Sequence, residues 1–144
     1  MSHSLNRHLL DEGARLPNLS LYTQMGEPAQ IKWPQSEPTI VLYVFAPWCT
    51  ICRVSMPGLN LISPERARVI AIALDWDSAK QVEDFVTSTG FQGEWYLGGS
   101  KIADALKVTG YPSYYVVSGD GVIKHRDRGL TTPPGLWLRT QPDN

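Results

Sequence analysis

The stretch Thr39-Ile40-Val41-Leu42-Tyr43-Val44-Phe45-Ala46-Pro47-Trp48-Cys49-Thr50-Ile51-Cys52 decides the fold. Its first seven residues run apolar without alternation, the pattern of a strand buried on both faces of a parallel sheet. Val69–Leu74 repeats that pattern. Between them, Thr50–Asn60 predicts a helix of about three turns, kinked or broken at Pro57, where the ring removes a backbone donor. Strand, helix and strand make a βαβ unit, and the two cysteines stand where its first strand hands over to its helix.

Outward from this unit the same periodicities continue. Leu16–Tyr22 and Ala29–Ile31, separated by Met25-Gly26-Glu27-Pro28, predict an N-terminal hairpin or pair of edge strands, and Trp33–Pro38 a proline-punctuated loop. Ser78–Thr89 is an amphipathic helix with Ser78 as N-cap, Val82, Phe85 and Val86 on one face, and Gly90 as its stop. A strand over Glu94–Leu97 and a small helix over Lys101–Val108 follow. Next comes a hairpin of Ser113–Val117 and Val122–His125 about the turn Ser118-Gly119-Asp120-Gly121. Thr132-Pro133-Pro134 can start a brief C-terminal helix. The whole is α/β, a central mixed sheet flanked by helices on both faces. No linker or repeat divides it.

Composition narrows the function classes. The 144 residues carry 13 Lys+Arg against 14 Asp+Glu, a net charge of −1, which offers no general attraction for phosphate backbones and argues against a nucleic-acid partner. At 42% hydrophobic residues the chain can build a core without staples, and its two cysteines exclude a disulfide-built mini-protein. Charged residues are only 19%, with 5 Trp and 6 Tyr, a balance that favours contact with other proteins. No stretch approaches the ~18 apolar residues of a membrane helix and Met1–Leu10 has no signal-peptide core, which taken alone suggests a cytosolic protein.

Cys49 and Cys52 sit at the start of the predicted helix, where unpaired N–H groups and the helix dipole favour a thiolate. The two-residue spacer sets the second sulfur one turn away, within reach of a mixed disulfide on the first. Two bland readings compete. Half of a zinc site would need two further ligands from His3, His8 and His125, none of which has paired spacing. A structural disulfide sits poorly at an exposed strand-to-helix corner.

On these residues the chain resembles the thioredoxin superfamily, and within it the TlpA/ResA/DsbE-type envelope thiol-disulfide proteins, with a flavour of the suppressor-of-copper-sensitivity D proteins. The likeness runs from Leu16 to His125. It rests on Ala46-Pro47-Trp48-Cys49-Thr50-Ile51-Cys52-Arg53, on Pro57, on Gly110-Tyr111-Pro112-Ser113 and on the opening Leu16-Pro17-Asn18-Leu19-Ser20-Leu21. It implies a thioredoxin-like fold with an N-terminal β extension and an inserted strand–helix unit at Glu94–Val108. Residues 1–15 are then a tail and 16–144 one domain. It further implies Cys49 as nucleophile, Cys52 as resolving thiol, and Trp48, Tyr111 and Pro112 as substrate-binding residues, Tyr111-Pro112 being a cis bond.

Two positions depart from the family. Thioredoxins carry a buried Asp six residues before the first cysteine, where this chain has Tyr43, so the usual proton acceptor is missing; Asp77 (or Asp75) is the candidate for tuning Cys52. Ile51 replaces the proline that precedes the second cysteine in many reductive members. Trp33, Trp76, Trp95 and Trp137 read as packing residues, and Arg126-Asp127-Arg128 as a solvated patch. The expectation is an oxidoreductase exchanging disulfides with protein cysteines, periplasmic, with or without a membrane tether. It needs no bound cofactor and is reset by a redox partner, in the resembled branch often a membrane electron carrier. The alternative is a Cu(I)-binding module on the same two sulfurs.

Overall fold

The computed structural model describes residues 9–129. Its elements are β1 (Leu19–Tyr22), β2 (Pro28–Ile31), β3 (Thr39–Phe45), α1 (Thr50–Ser55) with a 3-10 continuation over Met56–Leu61, and β4 (Arg68–Ala73). After these come α2 (Ala79–Thr89), β5 (Glu94–Leu97), α3 (Ser100–Ala105), β6 (Ser113–Ser118) and β7 (Ile123–Arg128). The strands form one mixed sheet in the order β2-β1-β5-β4-β3-β6-β7. β3 runs parallel to β4 and antiparallel to β6, and β4 runs parallel to β5. The N-terminal hairpin β1–β2 joins through β5, Tyr22 lying opposite Leu97.

The unbroken apolar run of β3 has its reason in two cores. Val41, Tyr43 and Phe45 point to the face covered by α1 and α2, together with both cysteines, Met56, Val82, Phe85 and Val86. Ile40, Leu42 and Val44 point to the opposite face, packed with Leu16, Leu19, Ile102 and Leu106. With both faces covered, the period of two survives in side-chain direction but not in polarity. Helix α1 gives way at Met56 to the 3-10 segment that holds Pro57 in its first turn, where the proline has no N–H to continue the α-helix. Ser78 caps α2 by accepting from the Gln81 N–H at 3.1 Å, and Gly90 ends it in the left-handed region at φ 79°.

Three elements differ from the sequence-based expectation. α3 stops at Ala105 because Lys107 takes a left-handed φ of 50°, although Leu106 stays buried in the core. β7 extends to Arg128, so Arg126-Asp127-Arg128 pairs with β6 instead of forming a solvated patch. The Arg126 guanidinium donates to the carbonyls of Leu9 (3.2 Å) and Leu10 (2.9 Å) and meets Asp11 at 3.1 Å. With Leu10 N–H donating to Tyr115 Oη (2.8 Å) and Gly13 N–H to the Ile123 carbonyl (2.8 Å), these bonds hold residues 9–15 of the expected tail onto β6–β7. The expected helix at Thr132–Pro134, along with Trp137, lies outside the described residues. Trp33 and Trp76 act as packing residues, each donating its indole N–H to a carbonyl at 2.9 Å, of Pro17 and Gly98 respectively. Gly121, at φ 88°, lies under Trp33, where a Cβ would come within 2.7 Å of the indole.

One ion pair ties the inserted strand to the parallel core. Arg68 on β4 grips Glu94 on β5 through Nε (2.7 Å) and Nη2 (3.0 Å), and Tyr96 donates to the same carboxylate at 2.7 Å. Half-burial alone would raise the Glu94 pKa, but the Arg68 and Tyr96 hydrogen bonds hold it below the ordinary value. Because the folded value is the lower one, the pair stabilises the fold above the unfolded carboxylate pKa and loses that contribution as pH falls through the folded value. Glu94→Gln is expected to cost about 1 kcal/mol at neutral pH, with the gap to the parent closing in acid, read from denaturant midpoints at both pH values.

Candidate active site

The site is built at the carboxyl end of β3. Phe45, Ala46 and Pro47 are buried, and Trp48 carries the chain out to the surface. Cys49 turns it back, its N–H donating to the Ala46 carbonyl at 3.1 Å. Cys49 is the N-cap of α1 with extended backbone (φ −87°, ψ 115°), the position usually taken by Ser, Thr or Asp. Its Sγ fills the capping role, accepting from the Cys52 N–H at 3.2 Å. An amide donor at a helix start favours negative charge on the atom it meets.

The two sulfurs, both free thiols, differ in access. Cys49 keeps 8% of its surface and Cys52 none. Burial pushes the Cys52 thiol well above its ordinary range, and its hydrogen bond with Cys49 adds to this, while hydrogen bonds to Ala46 and Tyr43 pull the other way. Helix α1 is fixed against α2 by Arg53, whose guanidinium lies 4.8 Å over the Phe85 ring and donates to Ser88 Oγ at 2.6 Å.

Above the dithiol, Trp48, Tyr111 and Asp75 interlock. The Trp48 indole N–H donates to the Asp75 carbonyl (3.0 Å), the Tyr111 hydroxyl donates to Asp75 Oδ2 (2.9 Å), and the two rings meet edge-on at 5.6 Å and 88°. Asp75 adopts a left-handed φ of 51°, which an Asp tolerates. Tyr111-Pro112 is cis. Ser113 pairs with Val44, so this dipeptide lies beside the end of β3 that delivers Trp48 and Cys49. Partial burial, the Asp75 carboxylate and the nearby cysteine sulfurs all raise the Tyr111 hydroxyl, which stays protonated.

Of the six residues singled out from sequence, five gather here: Cys49, Cys52, Trp48, Tyr111 and Pro112. Asp77 does not join them. It is exposed at the start of α2, its N–H donating to Gln81 Oε1 at 2.6 Å, and it is not among the groups acting on Cys52. Its neighbour Asp75 reaches the site only through Trp48 and Tyr111. Sequence reasoning missed what lies beneath Cys52. Tyr43 Oη lies 3.4 Å from the Cys52 carbonyl and 2.6 Å from Ser55 Oγ. Two signals were available: Tyr43 stands at the missing Asp, on the Val41–Phe45 face, and Ser55 lies three residues after Cys52 on the same helix face.

Comparison with known proteins identifies the family and the fold. The Redoxin family model matches residues 11–135. Thioredoxin-like protein YneN of Bacillus subtilis is 28% identical over 128 residues, covering 85% of this chain and 75% of that protein. The thiol:disulfide interchange protein DsbE of Yersinia pestis is 32% identical over 92 residues, covering 62% of this chain. The match spans about half of DsbE's own length, 48%. In structure, StoA from Bacillus subtilis superposes with a TM-score of 0.73 at 18% identity, over 89% of this chain and all of that one. The mixed sheet flanked by helices is therefore a thioredoxin-like fold, and the chain belongs to the Redoxin family, among relatives that include thiol:disulfide interchange proteins.

Proposed function

We propose that the protein is a thiol-disulfide oxidoreductase acting on protein cysteines, in which Cys49 attacks and Cys52 resolves. The observation that carries this reading is the asymmetry of the pair. Cys49 keeps 8% of its surface and carries an amide donor on its sulfur, and Cys52 is wholly buried one turn below. Attack of the Cys49 thiolate on a client disulfide forms a mixed disulfide and expels a client thiolate, which takes up a proton. Cys52 then displaces the remaining client sulfur from Cys49, closing the Cys49–Cys52 disulfide. The same steps reversed oxidise a client dithiol, and the relative potentials set the direction. Equilibration against glutathione buffers assigns it: ~−120 mV marks an oxidant and ~−270 mV a reductant.

Client binding belongs to the surface around Cys49. Trp48, Ile51 and Val54 are large exposed apolar residues next to the dithiol, a patch suited to an unfolded or extended client and not to a charged one. The Trp48–Asp75–Tyr111 interlock borders that patch. Tyr111 precedes the first ladder residue of β6, so its backbone suits strand-like pairing with a client segment. A redox partner that resets the dithiol follows from the chemistry. A periplasmic location follows from the likeness to the DsbE-type proteins; among the described residues, no helix is long and apolar enough to cross a membrane. The Cu(I) alternative would rest on two sulfurs alone, since no group of three or more potential ligands gathers among the described residues.

Cys49→Ser is expected to reduce client exchange to background, whereas Cys52→Ser should accumulate a stoichiometric mixed disulfide visible on a non-reducing gel. No adduct with Cys52→Ser would reverse the assignment of the two sulfurs. For the interlock, Tyr111→Phe removes the bond to Asp75 and keeps the ring. It should raise KM for a protein client roughly two- to tenfold and leave kcat nearly unchanged, as steady-state kinetics would read.

A further inference from the structure

The mechanism above leaves one buried group without a task. Tyr43 is fully buried, its ring edge-on to Tyr114 at 5.1 Å, and its hydroxyl ends under the first turn of α1 instead of in solvent. There it meets Ser55 Oγ at 2.6 Å and the Cys52 carbonyl at 3.4 Å, with Ser55 Oγ itself 3.5 Å from that carbonyl. When Ser55 donates to Tyr43, the phenol's own proton is left for the Cys52 carbonyl. The geometry points to Tyr43, oriented by Ser55, as the positioning residue of the resolving step: its O–H holds the Cys52 carbonyl from below and so fixes the turn that carries the Cys52 sulfur against Cys49. This rests on the oxidoreductase reading and extends it.

Cys52 is wholly buried, which pushes its thiol up, and the Tyr43 hydroxyl held beneath its turn works against that rise. The titratable groups facing Cys52 are Cys49 on its own helix, Tyr43 from β3 and Tyr111 from the loop before β6, with Tyr114 of β6 behind Tyr43. None is a carboxylate. Burial, and then the charge of Cys52, raise the Tyr43 hydroxyl far above neutral pH, so it gives a hydrogen bond and keeps its proton. The step therefore balances between sulfurs alone. The Cys52 S–H proton is lost, the Cys49–Cys52 bond forms as the Cys49–client bond breaks, and the departing client sulfur leaves as a thiol. A buried acid in Tyr43's place would add its own titration to this step, and Tyr43 adds none.

The test uses glutathione disulfide with the reduced full chain. Cys49 takes one glutathione, Cys52 expels it, and acid quenching with mass spectrometry follows both steps from about pH 6 to about pH 9, around the ~8.5 of a free thiol. Tyr43→Phe should leave glutathionylation within about twofold of the parent, slow resolution roughly tenfold or more, and shift the resolution profile to higher pH. Ser55→Ala should do the same to a smaller degree. Resolution at the parental rate with the parental pH profile in Tyr43→Phe overturns the proposal. If that variant fails to fold by circular dichroism, Ser55→Ala decides: the smaller shift supports the proposal and no shift overturns it. A parent that never takes glutathione overturns the oxidoreductase reading beneath it instead.

Discussion

A strand covered on both faces can present chemistry only where it ends. Every residue of β3 after Thr39 is buried, and the chain reaches solvent at Trp48 before re-entering as α1. The position of the dithiol follows from that constraint. Cys49 stands at the turn and Cys52 one helical turn inside, so a difference in burial is imposed on two chemically identical side chains. The parallel neighbour β4 ends at the same level, which brings Asp75 to the rim, and the antiparallel neighbour β6 begins there, which brings Tyr111-Pro112. Three chain segments distant in sequence meet because their strands are in register with β3.

The site has two layers. Below is the sulfur chemistry, with Cys52, Tyr43 and Ser55 enclosed by the core of α1 and α2. Above is the rim, where Trp48 and Tyr111 are held by one aspartate that uses its carbonyl for one ring and its carboxylate for the other. Arg53 belongs to neither layer. It clamps α1 against the Phe85 ring and Ser88, and so fixes the dithiol helix to the body of the protein.

Much of this was legible in the chain. Burial on both faces leaves a direct signature in β3 and β4, and the cap and stop of α2 are local devices at Ser78 and Gly90. The cysteine pair needed only its place in the βαβ unit. What escaped the sequence was tertiary. Arg126 reads as a surface charge until residues 9–11 fold over it and supply carbonyls and a carboxylate. Asp75 and Asp77 are equivalent by composition and spacing, and a left-handed backbone at the first turns only that one toward Tyr111. Tyr43 was noted for the carboxylate it lacks, whereas its hydroxyl acquires a partner only when Ser55 arrives from the helix above.

The interlock of Trp48, Tyr111 and Asp75 is anchored to the rim by bonds among its own members, while the thiols are anchored from beneath. Its members therefore form a separable cassette. Substitutions that reshape the rim leave the hydroxyl pair under Cys52 in place, and changes in the lower layer leave the rim standing. Client repertoire and sulfur reactivity are thus carried by different layers of one scaffold, and the Tyr111 hydroxyl, which the cysteine sulfurs reach, is where a change in one is felt in the other.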